Sequence, residues 1–258
     1  MTFNIRLDTP ADSLNSWAYR RDNAAQMIKE ADVDIVGMQE VLIHQLNDLK
    51  ERLPEYSSVG VGRLDGKEAG EFSPVFYRED QFEEVESGNF WLSEDPAAVG
   101  VKGWDAACER IASWAILKDK TSGKEFFVLS THFDHIGQVA RRESARLILS
   151  KTAELSDGLP VIVMGDFNAD PESEVIQTIA DTANPLSLIH SYSLAPIVNG
   201  STYTFHNYGR LAEEDRECID YIFVNNKVEV AEYQVMPERN EAGYFSDHSA
   251  VRVRIIIN

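Results

Sequence analysis

The chain has 258 residues, of which 43% are hydrophobic and 26% are charged, and its formal net charge is −19. A chain of this length and composition buries a large core, which excludes a disordered protein, a collagen and a fibrous coil. No apolar run approaches the roughly 18–20 residues that a membrane span requires. The acidic sequence contains no lysine- or arginine-rich cluster, so long nucleic acid is not expected as a partner.

The cysteines and the N-terminal segment bear on the cellular compartment. Cys108 and Cys218 lie far apart and form neither a CxxC pair nor a zinc-ligand spacing, so two reduced thiols are expected. Residues 1–6 have neither the basic leader nor the apolar segment that is typical of a signal peptide. Together these features predict a cytoplasmic protein, because that compartment keeps thiols reduced.

Strand and helix patterns alternate along the chain, and neither a repeat nor a low-complexity linker divides them. Apolar residues recur at helical spacing after Trp17, and Pro54 ends a second helical pattern. Up to residue 62 we predict, in chain order, the strand Met1–Leu7, the helix Trp17–Glu30, the strand Val33–Met38, the helix Ile43–Leu53 and the strand Tyr56–Gly62.

The middle and the end of the chain are richer in strands. Short apolar runs between glycine and acidic turns predict strands, and longer runs with helical spacing predict two helices. In chain order these are the strands Phe72–Tyr77, Phe82–Glu86, Phe90–Leu92, Ile111–Leu117 and Phe126–Thr131, the helix Ile136–Leu155, the strand Val161–Met164, the helix Glu174–Asp181, and the strands Ile219–Val224, Val228–Val235 and Ala250–Ile257. Two mixed sheets packed face to face with helices outside, in one domain over residues 1–258, accommodate this α/β order.

Polar side chains interrupt or follow the first two apolar strands. Asn4 lies within the first strand, where an amide needs hydrogen-bond partners. Gln39-Glu40 directly follows the second strand, at the edge where α/β proteins build their sites. A carboxylate in that position suits a hard cation such as Mg²⁺. A hydrogen-bonded core asparagine and a glutamate that caps the next helix are the alternatives at these two positions.

The segment that ends the strand Phe126–Thr131 is rich in groups that bind metal or phosphate. His132, Asp134 and His135 place two imidazoles and a carboxylate at this strand end. A single histidine would more often be structural, but three such groups together favour a functional site as much as a structural one.

A sharper motif follows the strand Val161–Met164. Gly165 gives the backbone freedom, and Asp166 and Asn168 supply a base and an amide two residues apart. The alternative is a plain turn before Pro171, since aspartate and asparagine favour turns.

The last third of the chain adds a carboxylate and a histidine. Asp220 lies within an apolar strand, where an unpaired carboxylate would be costly, so it requires a cationic or imidazole partner. The run Ser246-Asp247-His248, just before the last strand, offers that partner. A histidine oriented by an acid is a common arrangement for general acid–base catalysis.

No single motif is decisive, but the ordered set resembles the endonuclease/exonuclease/phosphatase superfamily from Asn4 to His248. The resemblance implies a four-layered α/β sandwich that cleaves phosphate esters with a divalent metal, usually Mg²⁺, with Mn²⁺ as a substitute. It implies that Glu40 is the main metal ligand with Asn4 beside it, and that Asp247 supports the metal or the attacking water.

The resemblance also implies the roles of the other motif residues. Asp166 would polarise or deprotonate the attacking water, and Asn168 would hold a phosphate oxygen. His248, oriented by Asp220, would contact the scissile phosphate, and His132 would be a second phosphate contact.

Three more residues complete the predicted substrate-binding set. The segment around Arg110 looks like the arginine-bearing strand of the deadenylase-like branch of the superfamily, where Arg110 would offset phosphate charge. Asp134 is included from the motif at its strand end. His206 is included from an aromatic loop over residues 198–218, whose rings are candidates for stacking on a base or a sugar. Hairpin packing is the alternative for that loop.

These features predict a Mg²⁺-dependent hydrolase of a small or soluble phosphoester, with phosphodiesters slightly favoured over monoesters. A nuclease that acts on short single strands or RNA ends is the alternative within the class. A silent relative that only binds a phosphorylated ligand is the alternative from another class.

Overall fold

A computed structural model describes residues 1–257 of the chain. Its helices are α1 (Trp17–Glu30), α2 (Ile43–Arg52), α3 (Gln138–Ser156), α4 (Glu174–Ala180) and α5 (Ser191–Leu194). Short 3₁₀ turns cover Pro10–Asn15 and Glu213–Asp215.

The strands account for most of the remaining chain. They are β1 (Thr2–Asn4), β2 (Ile35–Gln39), β3 (Tyr56–Val59), β4 (Val75–Arg78), β5 (Phe82–Trp91), β6 (Ile111–Asp119), β7 (Glu125–His132), β8 (Val161–Asp166), β9 (Ile189–His190), β10 (Val198–Asn199), β11 (Asp220–Val224), β12 (Val228–Val235), β13 (Arg239–Asn240), β14 (Gly243–Tyr244) and β15 (Val251–Ile257).

Two large sheets organise the fold. The first has the strand order β10-β12-β15-β1-β2-β4-β3, and the second has the order β5-β6-β7-β8-β11-β9. Both are mixed, because β1 and β2 are parallel in the first sheet and β7 and β8 are parallel in the second, whereas most other neighbours are antiparallel. The parallel pairs direct the carboxyl ends of β1, β2, β7 and β8 toward one site.

The layers are defined by three groups of buried side chains. Residues of both sheets, such as Leu117, Met164 and Val251, form the core between the sheets. The helices α1 and α2 pack on the outer face of the first sheet, and α3 and α4 pack on the outer face of the second. The predicted α/β fold, two packed mixed sheets flanked by helices, is confirmed.

Several element boundaries differ from those predicted. The strands predicted at 82–86 and 90–92 form one strand, β5, with a bulge between Glu84 and Glu86, because the intervening polar residues still pair with β6. The first strand ends at Asn4 instead of Leu7, and a 3₁₀ turn follows it. The short strands β9, β10, β13 and β14 and the helix α5 were not predicted, since two to four residues carry too little periodicity.

His190 makes the stability of this fold sensitive to acid. Its ring packs among Tyr192, Tyr221, Phe223 and Tyr233, and within the described residues its Nε2 atom has no hydrogen-bond partner. Burial lowers the pKa of His190 to about 4. Below pH 6.5 the His190 ring is therefore protonated in the unfolded chain but stays neutral in the folded chain. The free energy of unfolding should consequently fall by about 3 kcal/mol between pH 6.5 and pH 4.

Urea unfolding at several pH values, with a metal chelator present, measures this effect. The variant His190→Phe should have a smaller loss of stability over the same range, because it carries no titrating group. The variant His44→Gln at the surface is the matched control and should behave as the wild type does. An equal pH dependence in wild type and His190→Phe would contradict the assignment.

Two predictions about the chain as a whole can also be compared with the structure. Cys108 and Cys218 are both free, in agreement with the prediction of two reduced thiols. Over residues 1–257, no helix combines the length and the apolar character needed to cross a membrane.

Candidate active site

The polar residues singled out in the sequence meet at the shared edge of the two sheets. Asn4 and His132 are the last residues of β1 and β7, and Asp166 is the last residue of β8. In the strand register, Asp166 pairs with both His132 and Asp220. The side chains converge because parallel strands end at one edge and the antiparallel β11 begins there.

Glu40 directly follows β2 and turns its carboxylate toward the strand ends. Its backbone has a φ of 62°, a left-handed conformation that is costly for a non-glycine residue and that recurs at functional sites. Its Oε1 accepts a hydrogen bond from Asn4 Nδ2 at 3.1 Å, and its Oε2 accepts one from Leu7 N at 3.0 Å. Burial would raise the pKa of Glu40, but the Leu7 hydrogen bond and the charges of His248 and Arg6 lower it. Glu40 is therefore held as a carboxylate.

Asp166, His248 and Asp220 form a buried group behind Glu40. The Nδ1 atom of His248 lies 2.8 Å from Asp220 Oδ2, and its Nε2 atom lies 3.9 Å from Asp166 Oδ2. Asp166 Oδ2 also accepts a hydrogen bond from Asn4 Nδ2 at 3.0 Å. Asp220 thus orients the imidazole so that its other nitrogen faces Asp166.

The environment of this group shifts the pKa values of Asp166 and His248 to different values. Burial and the nearby Asp220 raise the pKa of Asp166 to about 7. Burial would lower the pKa of His248, but Asp220, Asp247 and Asp166 raise it to about 10. The pair therefore offers a carboxyl group that exchanges a proton near neutral pH beside an imidazolium, which is a combination suited to acid–base catalysis.

Asn168 and His132 lie next to this group. The Asn168 side chain donates to Phe133 O at 3.0 Å, which orients its amide nitrogen so that it also donates to His132 Nε2 at 3.0 Å. Burial and the charges of Arg110 and Arg63 lower the pKa of His132 well below its usual value. His132 is therefore neutral, and the hydrogen bonding assigns its proton to Nδ1. In the part of the chain that the structure describes, this Nδ1 atom is buried without a partner.

Arg110 precedes β6 and is almost fully buried. Its Nη2 atom lies 3.0 Å from His135 Nδ1, and its Nε atom lies 3.6 Å from Asp134 Oδ2. Within residues 1–257, Nε and Nη1 have no hydrogen-bond acceptor. A buried guanidinium with donors that lack an acceptor has hydrogen-bonding capacity for an anion.

Asp134 and His206 are placed differently from the other predicted residues. Asp134 accepts hydrogen bonds from the backbone of Ile136, Gly137 and Ala107, which lower its pKa although burial would raise it. It therefore anchors the start of α3, and its oxygens are already engaged. His206 has no exposed surface and stacks on Tyr244, and burial lowers its pKa to about 4. Their predicted contact with substrate stays untested, and this surrounding structure favours a supporting position.

The structural reason for a glycine at position 165 differs from the one predicted. It lies inside β8 in an extended conformation, so it does not loosen a turn. A Cβ atom there would lie 2.1 Å from the carbonyl oxygen of Thr131. Glycine is required because β7 and β8 approach closely just before His132 and Asp166.

A family model described as the endonuclease/exonuclease/phosphatase family matches residues 1–248. The chain belongs to that family. Members of the family are phosphoester hydrolases, and this chain is therefore an enzyme of that class, as predicted from the sequence.

Solved structures of the family resemble this chain over its whole length. A family protein from Bacteroides vulgatus is 49% identical with a TM-score of 0.96, and the match covers 100% of this chain and 97% of that one. The mannosyl-6-phosphatase from Bacteroides thetaiotaomicron is 40% identical with a TM-score of 0.91, covering 99% and 98% of the two chains.

A curated relative is more distant and longer. Human Nocturnin is 28% identical over 188 residues, which are 67% of this chain and 41% of Nocturnin. This chain therefore spans less than half the length of that relative.

The donor set of the site fits a divalent metal. Asp166, Asp220 and His248 each offer one ligand atom, and these atoms lie within 4.8 Å of one another. Glu40 contributes a further carboxylate on the same side, and Asn4 Nδ2 bridges Glu40 and Asp166, whereas Asn4 Oδ1 accepts a hydrogen bond from Arg6 N. Carboxylate and amide oxygens are the ligands that hard cations prefer. Glu40 would hold the ion and Asn4 would orient its carboxylate, in place of the ligand role predicted for Asn4, while Asp220 is already engaged with His248.

Sequence reasoning missed two arginines that shape the site. The Arg6 guanidinium lies 3.8 Å from Glu40 Oε2 and 3.7 Å from Asp247 Oδ2. Arg20 is buried and donates to the backbone oxygens of Ile5, Arg6, Asn15 and Phe245. It thereby ties the end of β1 to the segment that carries Asp247. Arg6 could have been found from the sequence, because it lies two residues after Asn4, although it falls within the predicted strand Met1–Leu7.

Proposed function

We propose that this enzyme is a Mg²⁺-dependent phosphatase that hydrolyses a small, soluble phosphomonoester, with a phosphorylated sugar as the first substrate class to test. The observation that carries the proposal is the set of free donors on Arg110 and His132 next to the Asp166–His248 pair. A terminal phosphate has three oxygens without substituents, so it uses more such donors than a diester does. The mannosyl-6-phosphatase relative, 40% identical over nearly the whole chain, supports the same class.

The chemical problem is the attack of water on an anion. A divalent cation held by Glu40, whose carboxylate Asn4 orients, would neutralise phosphate charge and orient the ester for in-line attack. Asp166, with its pKa near neutrality, accepts the proton of the attacking water. His248 is held charged by Asp220 and donates to the phosphate as negative charge develops there. As the bond between phosphorus and the ester oxygen breaks, that oxygen takes the proton of His248 and leaves as an alcohol, and Asp166 passes the proton from water on to His248.

The other donors hold the phosphate during the reaction. Arg110 Nη1 and Nε and His132 Nδ1 are buried, so they need not be stripped of water when an anion enters. Asn168 keeps His132 in the tautomer that donates from Nδ1. The expected partner is therefore a small phosphoester, in keeping with the net charge of −19, which disfavours long nucleic acid.

Phosphate release from mannose 6-phosphate and p-nitrophenyl phosphate, compared with the cleavage of bis-p-nitrophenyl phosphate, tests this function. With Mg²⁺ or Mn²⁺, we expect the monoesters to be cleaved faster, and we expect chelator to abolish turnover until metal is restored.

Each contrary outcome rejects a different part of the proposal. Faster diester cleavage would favour the phosphodiesterase predicted from the sequence. Turnover only of short single-stranded RNA would favour a nuclease, and activity that persists in chelator would remove the metal mechanism. Binding of phosphate without turnover of any ester would favour a silent binding module.

A further inference from the structure

Arg63 carries a buried nitrogen donor that the proposed phosphate site does not yet include. Within residues 1–257 its Nε atom is buried and has no hydrogen-bond acceptor. Arg110 Nε and Nη1 and His132 Nδ1 share this property. An unpaired donor inside a protein requires an explanation, because it has lost its hydrogen bonds to water without replacing them. A ligand that accepts hydrogen bonds from these nitrogens would supply one.

The charge of Arg63 acts on the same residue as the charge of Arg110. Both charges lower the pKa of His132, and each does so more strongly than the charge of His248. Both also oppose the rise that burial causes in the pKa of the Cys108 thiol. Such effects weaken with distance, so the two guanidinium groups lie on the same side of the site, next to His132.

The loop that carries Arg63 is fixed on both of its sides. At its base, Phe72 exchanges backbone hydrogen bonds with Val41, the residue after Glu40. On the other side, Trp91 Nε1 donates to the backbone oxygen of Arg63 at 2.7 Å. Because Trp91 is the last residue of β5, the loop holds Arg63 between Glu40 and the second sheet.

Glu71 fixes the side chain of Arg63. Nη1 of Arg63 lies 2.8 Å from Glu71 Oε2, and Nη2 lies 2.7 Å from Glu71 Oε1, so both terminal nitrogens are engaged. The backbone N–H of Arg63 donates to Glu71 O at 3.1 Å. A guanidinium held at its fork by a carboxylate has a fixed plane, so its remaining donor, Nε, also has a fixed direction.

We propose that Arg63 is a substrate-binding residue whose Nε donates to the third unsubstituted oxygen of a phosphomonoester, and that it thereby determines the preference for monoesters over diesters. This inference rests on the proposed function, because it takes Arg110 and His132 as donors to the same phosphate.

The number of free oxygens distinguishes the two classes of ester. The phosphate of a monoester has three oxygens without substituents, whereas that of a diester has two. A second ester group in place of the third oxygen would leave Arg63 Nε buried without an acceptor, and an unpaired buried donor is costly. Since Glu71 and Trp91 hold the side chain and the backbone of Arg63, this donor cannot turn away to reach water. The same N–H group therefore favours the monoester and disfavours the diester.

Kinetics with p-nitrophenyl phosphate and bis-p-nitrophenyl phosphate at saturating Mn²⁺ test this inference. The quantity compared is the ratio of kcat/KM for the monoester to kcat/KM for the diester. Arg63→Met should lower the monoester value by about 10- to 100-fold, as the loss of one hydrogen bond to a charged group does, and should change the diester value much less. Calorimetric binding of inorganic phosphate to the Mn²⁺-loaded protein, which requires no turnover, should weaken by a similar factor.

Three further variants separate the Nε donor from other roles of Arg63. Arg63→Lys keeps the positive charge but lacks Nε, so it should lose the monoester preference as Arg63→Met does. The double variant Arg63→Met/Glu71→Gln leaves no unpaired carboxylate, so it replaces Arg63→Met if that variant does not fold. Arg78→Met is the matched control and should keep the wild-type ratio, since Arg78 is also paired with a carboxylate, that of Asp32, but ends β4 far from Glu40.

The outcomes separate this inference from the proposed function. A wild type that cleaves neither ester, or that prefers the diester, would overturn the proposed function, and the inference with it. A wild type that prefers the monoester, together with an unchanged ratio in Arg63→Met, would overturn the inference alone. Equal losses for both esters in Arg63→Met would show that Arg63 only supports the loop, and a wild-type ratio in Arg63→Lys would overturn the role of Nε.

Discussion

Replacing Asp166 by asparagine should lower the rate of phosphate-ester hydrolysis by about 10²–10⁴-fold and leave the fold intact. The substitution keeps the size of the side chain but removes the group that accepts the proton of water. Asp166 is buried beside Asp220, and burial and that neighbour raise its pKa to about 7. The loss of one carboxylate relieves this repulsion, so the variant should not be strongly destabilised.

Steady-state rates with p-nitrophenyl phosphate at saturating Mn²⁺ measure the effect, and thermal unfolding checks the fold. Asp170→Asn is the matched control, since it makes the same change four residues away at an exposed position, and its rate should stay close to that of the wild type. An Asp166→Asn variant with more than a tenth of the wild-type rate would show that another group accepts the proton.

The second large effect concerns metal affinity. Glu40→Gln should weaken Mn²⁺ binding by more than about 100-fold, since even the partners that orient metal ligands typically contribute 10- to 100-fold. The substitution removes a charge from a residue whose backbone is held in a left-handed conformation and whose two oxygens are aligned by Asn4 and Leu7. Glutamine retains the shape, so the loss reports the charge and the ligand atom.

Calorimetric titration with Mn²⁺ gives the affinity directly. Glu71→Gln is the matched control, because Glu71 is another partly buried glutamate near Glu40 but is paired with Arg63 through both oxygens. Its affinity should change much less than that of Glu40→Gln. Equal losses of Mn²⁺ affinity in the two variants would show that the affinity depends only on the total negative charge near the site. Unchanged affinity in Glu40→Gln would refute its role as a ligand.

Arg20 illustrates what the sequence does not reveal. Its position in the predicted helix Trp17–Glu30 does not distinguish it from a solvent-exposed arginine. In the structure it is buried and donates hydrogen bonds to four backbone carbonyl oxygens from three segments. Those carbonyls are separated from it by up to 225 positions in the chain. A contact of that kind depends on how the segments fold together and leaves no local pattern.

Asp134 and His206 show the same limit in the opposite direction. Both residue types suit a site, and both lie near motif residues in the sequence. The fold directs the Asp134 oxygens to the backbone at the start of α3 and packs His206 against Tyr244. Residue type and spacing therefore identify candidate residues for a site, whereas the side-chain environment determines which of them remain free to bind a ligand.

The sequence by itself determined the α/β class and the strand ends that carry Asn4, Glu40, Asp166 and Asp220, with His248 before the last strand. Those features follow from local apolar periodicity and from the cost of polar groups in apolar strands. Only the tertiary structure decided that Asp220 orients His248, that Asn168 sets the His132 tautomer, and that Arg6 faces two carboxylates. These relations depend on distances of a few ångströms between residues far apart in the chain, which packing fixes and sequence spacing does not.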